Sequence, residues 1–85
     1  MSAYESPEKI AHSRMVSASA VLEHRIDLRG YPHRYLAVMS DRGIGIQQVT
    51  HALVAAELLA MQGWRLMDIS EFTSSRMVLA FLQRG

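Results

Sequence analysis

The chain has 85 residues, 49% hydrophobic and 20% charged, with a formal net charge of +1. That length fits one small core, and the charge balance excludes a polybasic nucleic-acid tail, an acidic tail and a highly charged disordered chain. No apolar run approaches the roughly 20 residues of a membrane span, and the lack of cysteine excludes disulfides, thiolate metal sites and cysteine nucleophiles.

Residues 1–20 read as an N-terminal arm, flexible or marginally helical, ahead of a single α+β domain over 21–85. Ser2, Ser6, Ser13, Ser17 and Ser19 are interleaved with alanines. Ser6-Pro7-Glu8 is a helix start: a hydroxyl cap, a proline at the first helical position and an acid in the first turn. Ala11, Met15, Ala18 and Leu22 recur at helical spacing, but the stripe is thin and such a helix is marginal unless it docks.

From Val21 the period changes to two. Leu22, His24, Ile26 and Leu28 alternate with Glu23, Arg25, Asp27 and Arg29, which predicts a half-buried strand. Gly30-Tyr31-Pro32-His33 is a turn, and Arg34 to Ser40 predicts a second strand closing a hairpin. Asp41-Arg42-Gly43-Ile44-Gly45 is a loop. Ile46 to Gln62 predicts the main helix, with Gly45 as N-cap, Gly63 as its stop, and Ile46, Val49, Leu53, Ala56 and Ala60 as its buried face. Glu57 is the only permanent charge between Val49 and Met61, so the helix lacks the charged back of an ordinary surface helix.

Trp64 to Phe72 predicts the next strand, with Trp64, Leu66 and Phe72 on one face and Met67 and Ile69 on the other. Met77 to Gln83 returns from a turn at Thr73-Ser74-Ser75. It carries Met77, Leu79 and Phe81 on one face and Val78, Ala80 and Leu82 on the other, as suits a strand covered on both sides. The expected fold is a single antiparallel sheet, ordered strand-strand-helix-strand-strand around a strand-helix-strand-strand core, with the main helix on one face.

One helix covers one face of such a sheet. The expected open face carries Met39, Met67, Ile69, Val78, Ala80 and Leu82, with Arg25, Arg29, Arg65, Arg76 and Arg84 at its rim. Met67, Ile69, Val78, Ala80 and Leu82 are the candidate association residues, since an apolar area of several hundred Å² is about the most that a soluble monomer leaves exposed. The expected partner is a second copy of the chain across a two-fold axis; the alternative is that the N-terminal segment folds back over the face.

Candidate chemistry is sparse. His12, His24, His33 and His51 include no pair at the spacing that ligates a metal from one helix face. Arg42 and the amides of its Gly-Ile-Gly loop precede a helix and are a possible anion contact, but the dinucleotide glycine fingerprint is absent. No Gly-x-Ser-x-Gly elbow is present. Arg25, Arg29, Arg65, Arg76 and Arg84 with Tyr35 form a candidate surface for nucleic acid, opposed by Glu23, Asp27 and Glu71 on the same strands. No catalytic, cofactor-binding or metal-binding residue is assigned.

Gly63-Trp64-Arg65-Leu66 has a reading of its own: the glycine ends a helix in the left-handed conformation and the indole plugs the helix–sheet junction. The run from Leu58 to Ile69, with Met77 to Arg84 as closing strand, resembles a small uncharacterised bacterial domain family over about residues 22–84. Its motif is Gly-Trp-Glu-Leu; Arg65 stands where the family carries an acid, and Arg34 to Ser40 is a departure from its order. The resemblance implies the fold and supplies no activity. The sequence therefore leads us to expect a non-enzymatic, self-associating regulatory or adaptor module of a bacterial cytoplasm, without cofactor or membrane. The alternative is a nucleic-acid- or small-ligand-binding module using the arginine rim or a subunit interface.

Overall fold

A computed structural model describes residues 6–40, 46–72 and 77–84. The Ser6 hydroxyl accepts the backbone N–H of Lys9 at 3.2 Å and Pro7 follows at the first helical position, so the chain starts as α1 (Pro7–Ser13). Arg14 ends that helix with a left-handed φ of 59°. The chain then runs extended as β1 (Met15–Ser17) before Ser17 caps α2 (Ala18–Leu22) by accepting the N–H of Ala20. Residues 6–20, which read from the sequence as an arm, are built into the fold: Ile10, Val16, Ala18 and Ala20 are buried in its core. Ile10 and Val16 are among the larger fully buried side chains, and the small Ala18 and Ala20 allow close approach between layers.

The remaining elements are β2 (Tyr35–Ser40), α3 (Ile46–Ala60), β3 (Trp64–Phe72) and β4 (Met77–Arg84). The four strands form one sheet in the order β1-β2-β4-β3. The fold is α+β, but the sheet is mixed rather than antiparallel. β1 runs parallel to β2, with Val16 opposite Val38, while β2–β4 and β3–β4 are antiparallel. A parallel pair needs a crossover rather than a hairpin, and α2 with residues 23–34 supplies it.

The alternating run from Leu22 to Leu28 lies in that crossover and is not a strand. Leu28 and Tyr31 are buried and Ile26 packs against the core, while Glu23–Arg25 and Asp27–Arg29 pair with each other outside it. His24 is exposed and takes a left-handed φ of 58°, which breaks the extended run, and β1 already occupies the edge of β2 where a ladder would form.

α2 and α3 pack on each other and on the same face of the sheet, whereas α1 touches only β1 among the described elements. The buried face of α3 is Ala52, Ala55, Ala56 and Leu59, not the expected set of Ile46, Val49, Leu53, Ala56 and Ala60. Ile46 is 83% exposed; Ala56 is common to both sets, and Val49 is half-buried against the same core. Contact with α2, which itself offers Ala18 and Ala20, brings the helices together along their small residues and turns the larger ones outward. The expected cap at Gly45 lies outside the described residues.

Candidate functional site

Two features stand out: the sheet face away from the helices, and a cleft beside Trp64. The strand pairing fixes which side chains share a face. Leu36–Leu82, Val38–Ala80 and Ser40–Val78 are opposed on the helix side, and Tyr35–Gln83, Ala37–Phe81 and Met39–Leu79 on the other. Val78, Ala80 and Leu82 are 0% exposed within the core cluster. Three of the five expected association residues therefore lie beneath the helices.

The alternation along β4 is as expected, but the helix layer sits on the opposite side of it. Parity defines two faces and says nothing about which one a helix covers. Ile69 pairs with Ala80 and packs against the same core. Met67 is the exception. A register irregularity between Leu66 and Asp68 leaves it unpaired, and it lines a shallow groove of about 330 Å³ with Tyr35, Ala37 and Phe81. The same irregularity resets the parity of β3, so Phe72 pairs with Met77 on the open side and not with the Trp64 face.

The face opposite the helices thus carries Met15, Tyr35, Ala37, Met39, Met67, Phe72, Met77, Leu79 and Phe81; Tyr35, Met67 and Phe72 are exposed, Leu79 is buried and the rest are half-buried. Tyr35 is 55% exposed and Met67 50%. No described element crosses this face. Its β3 margin carries Arg65 opposite Gln83 and Asp68 opposite Phe81, one cation and one anion.

At the other feature, Gly63 takes a φ of 95° immediately after the last turn of α3 and starts β3 with Trp64. The indole is buried and meets Tyr31 edge-on, with ring centroids 5.7 Å apart. The Arg84 guanidinium lies 4.9 Å from the indole centroid and 5.8 Å from the Tyr31 ring, and it donates to the Tyr31 carbonyl at 2.8 Å. The Tyr31 hydroxyl donates to the Tyr35 carbonyl at 2.7 Å. Burial pushes the Tyr31 phenol up, against the opposing pull of Arg14 and Arg84. The Gly63–Trp64 junction is where the sequence places it. The partners of Trp64 come from residues 31 and 84, far away in the chain, and Tyr31 reads from sequence as an ordinary turn residue.

Beside this cluster opens a cleft of about 670 Å³ lined by Ile26, Leu28, Gln62, Trp64 and Arg84. Asp27 and Arg29 complete the lining, joined by two side-chain hydrogen bonds of 3.0 Å. The Arg29 guanidinium, helped by the Arg29 backbone N–H, holds the Asp27 carboxyl down to about 2.

The arginines named for anion or nucleic-acid contact do not form one patch. Arg25 pairs with Glu23 and Arg29 with Asp27, both in the crossover, while Arg65 lies on the β3 margin. Arg42 and Arg76 lie outside the described residues. Among the described residues no group of three or more His, Asp or Glu is placed to hold a metal ion, and no helix is long and apolar enough to cross a membrane.

The chain matches no protein-family model, and no curated protein or solved structure shows significant similarity to it.

Proposed function

We propose that this chain is a self-associating, non-enzymatic module whose interface is the open face of the sheet, met by the same face of a second copy. The observation that carries this reading is the run of exposed and half-buried apolar residues on that face, from Met15 and Met39 across Phe81 to Met67 and Phe72, with no described element over it. β4 has eight residues. β1, β2 and β3 have three, six and nine. At about 3.3 Å per residue and about 4.8 Å between strands, the four strands project to about 400 Å². Two such faces bury about 800 Å², the small end of protein interfaces, which suits a weak, concentration-dependent dimer.

The margin suits a like partner. A face carrying both Arg65 and Asp68 is self-complementary under a two-fold axis. Edge-to-edge pairing through β3 is less favoured, because the irregularity at Met67 interrupts the edge and Arg65, Asp68 and Glu71 charge the strand.

Light scattering coupled to size exclusion tests the proposal at tens of micromolar. The parent is expected to run as a dimer and Met67→Glu, at a half-exposed position outside the core, as a folded monomer. A parent chain that stays monomeric throughout would sink the proposal.

A further inference from the structure

The cleft beside Trp64 lies at the helix-side end of the sheet, away from the proposed interface, and its chemistry is of a different kind. We propose that it is a binding site for a small organic oxyanion, a carboxylate or phosphate monoester carried on a flat apolar body. Its volume of about 670 Å³ falls within the range of about 300–1,000 Å³ typical of small-molecule sites.

Three properties of the lining select the ligand. Ile26, Leu28 and Trp64 supply its apolar part. Asp27 and Arg29 bind each other through two hydrogen bonds, so their charges cancel. Arg84 is then the uncompensated charge of the lining, since no carboxylate among the described residues forms an ion pair with it. The net charge of the lining is +1, which favours an anion and balances a carboxylate more closely than a phosphate monoester of about −1.5 to −2.

Arg84 is also held in place before any ligand arrives. One η N–H is bound to the Tyr31 carbonyl at 2.8 Å, and the guanidinium plane is supported by the Trp64 ring at 4.9 Å. A guanidinium fixed in this way loses little side-chain entropy when its other N–H groups engage an oxyanion, and its fork geometry favours two-oxygen acceptors. The Gln62 side chain, exposed at the mouth, adds amide donors that a carboxylate or phosphate accepts.

Trp64 is the only tryptophan in the chain, so its emission reports on this cleft alone. The full chain is titrated with sodium benzoate, phenyl phosphate and the neutral isostere benzamide. A saturable change with benzoate or phenyl phosphate, and none with benzamide, supports the site; the tighter anion identifies the headgroup. Arg84→Gln is expected to weaken binding at least tenfold. Gln62→Glu, at an exposed position that leaves the core intact, places a like charge in the mouth and is expected to do the same in a protein whose circular dichroism is unchanged. A response that stays linear to tens of millimolar, an equal response to benzamide, or unchanged affinity in Gln62→Glu overturns the assignment.

Discussion

Replacing Trp64 with alanine tests whether the helix–sheet junction holds the domain together. The indole is 4% exposed, packs edge-on against Tyr31 at 5.7 Å and supports the Arg84 guanidinium at 4.9 Å. Truncating a buried aromatic to alanine costs about 3–5 kcal/mol, a figure that already contains most of the lost ring contacts. A chain of 85 residues has about 4–13 kcal/mol of stability in total, at about 0.05–0.15 kcal/mol per residue. The substitution therefore removes a large share of what the fold has.

For a domain of this size each kcal/mol moves the melting midpoint by about 4–8 °C, so Trp64→Ala should lower Tm by at least about 12 °C. Far-UV circular dichroism is the assay, because the variant has no tryptophan left to fluoresce. Parent and variant are compared at one protein concentration, since self-association raises Tm by mass action. Trp64→Phe keeps a ring against Tyr31 and should lose less than half as much. A cooperative Trp64→Ala melt within about 4 °C of the parent, equivalent to about 1 kcal/mol or less, would refute the junction role.

Two further outcomes follow from local geometry. Gly63 has φ of 95° and no atom within 4 Å of the position a Cβ would take, so Gly63→Ala meets conformational strain alone. A cost of about 1–2 kcal/mol is expected from urea melts, and a midpoint equal to the parent's would show that the positive φ is not needed. The second concerns Asp27, whose carboxyl is held down to about 2 by Arg29. Because the folded value lies below the unfolded one of about 3.9, the pair stabilises the fold above about pH 4 and the contribution is lost as pH falls through about 2. A carboxyl NMR titration should give a midpoint near 2 in the parent, rising towards about 3.9 in Arg29→Ala. An unchanged midpoint in the variant would assign the shift to another cause.

Local signals in the sequence carried through where the determinant was itself local. Ser6-Pro7 starts a helix because a hydroxyl and a missing N–H act within one turn, and Gly63 ends one because only its own backbone is involved. β2, β3 and β4 follow from runs of extended-chain residues. The class α+β and the placement of Trp64 at a junction were legible for the same reason.

What the tertiary structure decided was every question of which side faces what. The alternation of Val78, Ala80 and Leu82 against Met77, Leu79 and Phe81 is plain in the sequence, but only the position of α3 puts the first set beneath the helices and the second on the opposite face, where Met77 and Phe81 are half-buried and Leu79 is buried. Hydropathy alone favours Ile46 and Leu53 for the buried face of that helix. Close contact with α2 selects Ala52, Ala55 and Ala56 instead, because packing rewards fit between neighbours and not the apolar size of each residue. The edge of β2 went to Met15–Ser17, not to Leu22–Leu28, and the sheet became mixed. Composition and alternation alone lead to the expectation of more apolar surface than one helix on one sheet hides, and α1 and α2 take up part of it. The tertiary structure decided where it lies, since burial is a property of pairs of elements and a sequence pattern describes them one at a time.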